Sequence, residues 1–256
     1  NYMTVSPAWS GNIDATADTG INTGLKLKAG QKISIIAEGW IKYGKEDYAL
    51  ASPYGRLKEG FVLRNDKVLK ARFSASGKSY DIGSGVYQWS VPEEGELILV
   101  VSDSSHRDNS GAFSAVVYIA EDEKKAAAQK ADWKGHVPAT RSDWTHTGIT
   151  VSKGDKVMLI AAGTAQYDSR GRSFGPDGDS QHPSAQKPDP TFVLPEALAG
   201  KLLIKAGEHI YGIGSGGSDW EVPADGEISF IFNDTNVASE YANNTGGYDV
   251  RFVVLG

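Results

Sequence analysis

The chain has 256 residues, 30 of them glycine and 10 proline, with 10% aromatic residues, no cysteine and a formal net charge of −6. That length accommodates two separate cores, and a composition rich in turn formers and aromatics favours many short strands over a helical bundle. Without cysteine there are no disulfides or thiolate metal sites, which leaves oxygen and imidazole donors and hard cations, and an acidic chain with no dense Lys/Arg stripe disfavours a nucleic-acid partner.

No run reaches the roughly 18 apolar residues of a membrane helix, so no transmembrane segment is expected. Asn1–Thr4 lack the basic and apolar regions of a signal peptide. The expectation is a soluble chain whose compartment stays open, cytoplasmic with release or cell-surface and extracellular alike.

Internal repetition organises the chain. Trp9-Ser10-Gly11 recurs 124 positions on as Trp133-Lys134-Gly135, and Tyr43 recurs as Tyr167 at the same spacing. Farther along, Ile82-Gly83-Ser84-Gly85 recurs as Ile213-Gly214-Ser215-Gly216, Trp89 as Trp220, Val91-Pro92 as Val222-Pro223 and Asp103 as Asp234, now 131 positions on. Seven extra residues therefore enter the second copy between Tyr167 and Ile213.

In chain order, Lys32 to Ala37 is the first short β-branched run, followed by a polar stretch, Tyr48-Ala49-Leu50-Ala51-Ser52-Pro53-Tyr54-Gly55-Arg56, whose plain reading is a packed loop. Glu96 to Val101 predicts another strand. Next come the short loop Ser102-Asp103-Ser104-Ser105-His106-Arg107-Asp108-Asn109-Ser110-Gly111 and a closing strand over Phe113 to Ile119. Residues 121–131 are charged and alanine-rich with no apolar face, a linker with some helical propensity.

The second copy holds Phe174-Gly175-Pro176-Asp177-Gly178-Asp179-Ser180-Gln181-His182-Pro183, then Trp220 to Pro223. Its longest polar loop runs from Asn233-Asp234-Thr235-Asn236 through Glu240 to Asn243-Asn244-Thr245-Gly246-Gly247, before a last strand over Tyr248 to Val254. About seven or eight strands in roughly 120 residues predict a sandwich or jelly roll with function in its end loops. The fold expectation is all-β, two tandem β-sandwich (jelly-roll-like) domains over residues 1–121 and 132–256, joined by a short charged linker at 122–131.

Asp and Asn side chains supply the oxygens that a calcium ion takes from a loop, although turns use the same residues. The Asn-Asp, short loop, Asn-Asn-Thr-Gly pattern resembles the calcium loop of the LecA-type galactophilic lectins, small bacterial β-sandwich lectins. The Gly-Pro-x-Gly-Asp-x-x-His-Pro block after Tyr167 is similar to that family's sugar loop. The resemblance covers nearly all of the second copy.

It implies a calcium ion held by the Tyr167 carbonyl, the side chains of Asp234, Asn243 and Asn244, and one more carbonyl, from Glu240 or its competitor Ser239. It further implies a galactose-containing glycan partner that completes the ion's shell through its 3- and 4-hydroxyls, hydrogen-bonded also by Asp234 and Asn243. His182 and the Thr235 amide complete that set, together with Gln186 if one inserted residue is allowed after Pro183; without the gap Ala185 falls there. In the first copy, Tyr43, Asp103, a carbonyl near Ser105, Asp108 and Asn109 match the metal positions. The loop there is shorter, which leaves calcium open, and no His-Pro stands where the family has it, so its glycan specificity is in doubt; Tyr54 or Arg56 are the residues left to meet a different glycan.

Other signals count for less. Gly212 to Gly217 matches a dinucleotide fingerprint, yet a strand follows where a helix is required. The acidic residues around Asp177 lack the closing Glu of an EF-hand, and the two sequons at Asn233 and Asn243 read as coincidental. No metalloprotease histidine spacing or nucleophile elbow occurs. The expectation is no catalysis, with two alternatives: a glycoside hydrolase accessory or catalytic module, with Asp177 and Asp234 as its carboxylates, and a calcium-braced structural or adhesin module. Linked copies would raise avidity if both bind, and oligomerisation stays open.

Overall fold

In the computed structural model, strands alternate burial as the sequence pattern requires: Leu69, Ala71 and Phe73 are fully buried while Lys70 and Arg72 are not. The structure describes residues 7–60, 62–64, 66–120, 130–167, 173–180 and 182–255. These divide into two compact units, one covering 7–60, 64 and 66–120, the other covering 130–255 together with 62–63, which interrupt the first in sequence as the short strand β7.

The first unit contains β1 (Trp9–Asp14), β2 (Ile21–Leu27), β3 (Lys32–Glu38), β4 (Ile41–Lys42), β5 (Leu50–Ala51) and β6 (Leu57–Lys58). After β7 (Val62–Leu63) it continues with β8 (Leu69–Phe73), β9 (Ser79–Asp81), β10 (Gly85–Ser90), β11 (Gly95–Val101) and β12 (Ala112–Ile119). Two four-stranded sheets form, in the orders β1-β12-β3-β10 and β2-β11-β8-β9, with neighbouring strands antiparallel throughout. One apolar cluster joins them, with Ile13, Ile35, Phe113 and Val117 from the first sheet against Leu27, Phe73, Leu97 and Leu99 from the second. That is a β-sandwich.

The second unit repeats the plan with β13 (Ala131–Pro138), β14 (Thr145–Val151), β15 (Lys156–Gln166), β16 (Ser173–Phe174), β17 (Leu202–Ala206), β18 (His209–Gly212), β19 (Gly216–Glu221), β20 (Gly226–Phe232) and β21 (Thr245–Val254). One sheet runs β13-β21-β15-β16 with β19 also on β15, and the other runs β14-β20-β17-β18. Across the core Trp133 stacks on Phe230 with ring centroids 5.5 Å apart. The repeated Trp-x-Gly has a steric cause: a Cβ on Gly11 would lie 2.6 Å from Trp9 Cζ2, and one on Gly135 2.2 Å from Trp133 Cζ2. Each indole folds flat over a residue that has no side chain.

The helical propensity of the linker falls on 121–129, outside the described residues. Ala131, placed in the linker by its composition, is the first residue of β13 and pairs with Val254, because the closing strand β21 extends that far. Among the described residues no helix is long and apolar enough to cross a membrane. The dinucleotide-like glycines form the turn from β18 into β19, with Gly214 at φ +66°.

Candidate functional site

At the end of β20 the chain leaves the sheet through Asn233 and Asp234, both buried. Asp234 Oδ1 accepts the Thr235 N–H at 2.7 Å and Oδ2 accepts Asn244 Nδ2 at 2.8 Å. Asn244 Nδ2 also donates to the Ala139 carbonyl at 3.0 Å. Both neighbours are acceptors, so the amide nitrogen must face them, which leaves Asn244 Oδ1 buried and without a partner. Burial, ahead of any other cause, holds the Asp234 carboxyl above its usual range, with Glu240 adding to the rise; Asn244, Thr235 and the nearby His182 oppose it.

The first unit repeats this arrangement. Asn109 Nδ2 donates to the Ala15 carbonyl at 2.9 Å, and its Oδ1 is likewise buried and unpartnered. Asp103 Oδ1 accepts the Ser104 N–H at 2.7 Å while Oδ2 is a buried atom with no partner. A cavity of about 470 Å³ lies here, lined by Tyr43, Arg56, Lys58, Asp103, Ser105 and Asp108 among others. The hydroxyl of Tyr43 donates to the Leu57 carbonyl, and burial pushes that phenol up. The packed loop expected before it is packed: Tyr54 is buried under Lys67, whose Nζ lies 4.2 Å from the ring centroid. Arg56 alone of the two singled-out side chains reaches the cavity.

Buried polar atoms without partners cost roughly 1–3 kcal/mol each, and three of them, Asp103 Oδ2, Asn109 Oδ1 and Asn244 Oδ1, belong to side chains predicted to hold a metal. Among the described residues no group of three or more His, Asp or Glu forms a metal-holding cluster. The oxygens here are of another kind, one carboxylate with amide and carbonyl groups in the second unit and two carboxylates in the first. Such a set suits a hard cation.

The Asn233 to Gly247 segment contains a short helix, α1 (Ala238–Ala242), where the sequence predicts irregular loop. Alanine and glutamate favour the helical turn, and Asn243 caps its end with its N–H on the Tyr241 carbonyl. Ser239, Glu240 and Asn243 are exposed on this segment, as are Ser105 and Asp108 in the first unit.

His182 begins a 3₁₀ turn, Pro183–Ala185. Its Nδ1 accepts the Ser184 N–H at 3.0 Å, so a neutral imidazole carries its proton on Nε2 and is a donor there. The ring packs between Tyr167 and Phe192, at centroid distances of 5.7 and 5.8 Å. Gln186 is exposed and contributes its backbone N–H to the Pro183 carbonyl. The Thr235 amide, read as a sugar donor, is spent on Asp234 Oδ1. Asp177, half of the supposed hydrolytic pair, has both oxygens on Ser215, from its N–H at 2.9 Å and its hydroxyl at 2.8 Å. It pins the β18 to β19 turn.

Three residues escaped the sequence reading. Asn233 is fully buried; its Nδ2 donates to the Leu194, Ala197 and Leu198 carbonyls, each at 3.1 Å, and its Oδ1 accepts the Leu194 N–H at 3.0 Å. It ties the 194–198 segment to the end of β20, and a glycan on this buried sequon is sterically excluded. Tyr241 and His106 anchor the two loops by bonds to the ends of β20 and β11. Asn233 was visible only as half of the Asn-Asp pattern and as a sequon, and nothing marked the other two.

Comparison with known proteins completes the picture. The curated Lectin A of Photorhabdus laumondii subsp. laumondii is 40% identical over 113 residues, which is 43% of this chain and 91% of that protein. A solved structure titled "EclA N-terminal domain; PllA-like lectin" is 42% identical, covers 44% of this chain and 98% of that one, and superposes with a TM-score of 0.42. The match to Lectin A puts the chain in the class of lectins, proteins that hold carbohydrate without turning it over. The PA-IL-like protein family model matches residues 8–123 and again 132–254, and the chain belongs to that family.

Proposed function

We propose that the second copy binds terminal galactosides through a calcium ion held by the Tyr167 carbonyl, a carbonyl of Ser239 or Glu240, and the side chains of Asp234, Asn243 and Asn244. The observation that carries this reading is Asn244 Oδ1, a buried oxygen whose own amide nitrogen is locked onto Ala139 and Asp234. A cation satisfies that oxygen and offsets the burial of the Asp234 carboxylate at once. The same logic extends to Asp103 and Asn109 in the first copy.

A bound calcium ion offers coordination positions that neutral hydroxyls fill in place of water. Around it the chain's own groups orient the sugar: Asp234 and Asn243 toward the ring hydroxyls, and His182 Nε2 as a donor to the 6-hydroxyl. Calorimetric titration of D-galactose into the full chain tests this. Binding should require calcium, vanish on chelation and be lost in Asp234→Ala. Galactose binding that survives chelation defeats the reading, and thermal stabilisation by calcium with no sugar response puts a calcium-braced module in its place.

A further inference from the structure

The same aromatic ring meets opposite chemistry in the two copies. In the second, the Tyr167 ring faces the imidazole of His182 at 5.7 Å. In the first, the corresponding Tyr43 ring lies 5.7 Å from the Arg56 guanidinium carbon and 5.6 Å from Lys58 Nζ. Both cationic side chains line the cavity of about 470 Å³ that Asp103, Ser105 and Asp108 also line.

The charges there do not cancel evenly. Arg56 is paired with Asp66 at 2.8 Å, whereas Lys58 has no ion-pair partner among the described residues. Asp103 and Asp108 balance a divalent cation, and Asp103 Oδ2 is the buried oxygen that lacks a partner. With that cation in place, Lys58 is the ammonium of the cavity wall that no carboxylate among the described residues pairs, beside the N–H groups of Arg56 that Asp66 does not take; Glu46, the further carboxylate acting on Tyr43, does not line the cavity. Such a wall selects an anion over a neutral hydroxyl.

We propose that the first copy binds an anionic saccharide, one with a carboxylate where the second copy accepts a neutral 6-hydroxyl. The inference rests on the reading that a cation completes the Asp103 and Asn109 oxygens, and it assigns the two copies different glycans. The cavity then has a use that its lack of a His-Pro would otherwise deny it.

The test uses the full chain carrying Asp234→Asn, which silences the second copy, in the presence of calcium. D-Galacturonic acid should bind this chain at least about tenfold more tightly than D-galactose. Adding Lys58→Gln should lower galacturonic acid affinity about tenfold, with Lys58→Arg retaining it, since a neutral partner makes a weaker hydrogen bond to a carboxylate than a charged one does. Equal affinity for the two sugars, no binding of either, or indifference to Lys58→Gln overturns the inference. Galactose titrated into the unmodified chain reports on the second copy separately, so a failure there leaves this result standing.

Discussion

The Tyr241 hydroxyl donates to the Phe232 carbonyl at 2.6 Å, closing the 233–247 segment onto the last residue of β20. In the first copy His106 takes that place, its Nε2 2.7 Å from the Val101 carbonyl at the end of β11. Each anchor stands three residues before the asparagine that has the unpartnered oxygen. Because a carbonyl can only accept, His106 must carry a proton on Nε2. Two unlike side chains thus serve one purpose, holding the asparagine's loop against the sandwich.

Tyr241→Phe removes that donor and leaves a buried carbonyl unsatisfied, which costs roughly 1–3 kcal/mol. The variant should remain folded, with a lowered melting temperature and calcium affinity weakened by about tenfold. Differential scanning calorimetry and calcium titration read the two effects. Calcium affinity equal to that of the unmodified chain would detach this hydroxyl from the metal loop.

Asp234 yields a pH prediction whose sign is fixed by the direction of its shift. Its carboxyl is raised in the fold chiefly by burial, so the folded state holds a proton that the unfolded chain has already released. Metal-free protein should therefore lose stability as pH rises from the ordinary carboxylate range through the raised value. Asp234→Asn should flatten that part of the profile in chelator, at a cost of roughly 1–3 kcal/mol because its Nδ2 meets a donor, the Thr235 N–H or Asn244 Nδ2, where the carboxylate accepted. With calcium at 100 times its dissociation constant the unmodified chain should gain about 2.7 kcal/mol more than this variant, since binding to the fold adds that amount. Chemical denaturation across pH, with chelator and with calcium, tests both halves.

The repeat, the strands and the aspartates at the sandwich ends were legible because they depend on local pattern: alternation along Leu69–Phe73, glycine at the turns, oxygen-bearing residues just past an apolar strand. What was not legible depends on partners far away in sequence. Asn233 looked like one half of an Asn-Asp motif, yet its bonds reach 35 to 39 residues back to the 194–198 segment. The correspondence of His106 with Tyr241 was hidden because the two share a donor atom and little else. The cationic wall of Arg56 and Lys58 arises from packing around Tyr43, and the Thr235 amide looked free until Asp234 turned back on it.

Asn233→Ala tests whether that distant tether matters to the sugar loop. The two amide N–H groups, shared among three carbonyls, and the amide oxygen all disappear, and several buried backbone groups lose their partner, so a stability loss of about 2 kcal/mol or more is expected. Ser102 stands at the corresponding place in the first copy and lacks the amide group that makes these bonds. Galactose affinity should fall by a larger factor than calcium affinity, because the 194–198 segment leads directly to Ala199, whose N–H donates to the Ser184 hydroxyl beside His182. Equal losses of both would make Asn233 a general support of the unit.

His182 and Gln186 separate two ways of laying out the sugar loop. His182 is held by ring packing against Tyr167 and Phe192 and by the Ser184 N–H on Nδ1, so its Nε2 donor is presented in a fixed direction. Gln186 is exposed and tied only through its backbone, so its side chain must lose rotamer freedom to hold a ligand. One net hydrogen bond of about 1 kcal/mol corresponds to roughly a fivefold change in affinity. His182→Ala should weaken galactose binding by about that factor or more without altering calcium affinity, whereas Gln186→Ala should change it less than about twofold. A larger effect from Gln186 than from His182 would mean that the exposed amide folds down onto the sugar and that the one-residue gap after Pro183 is the right alignment.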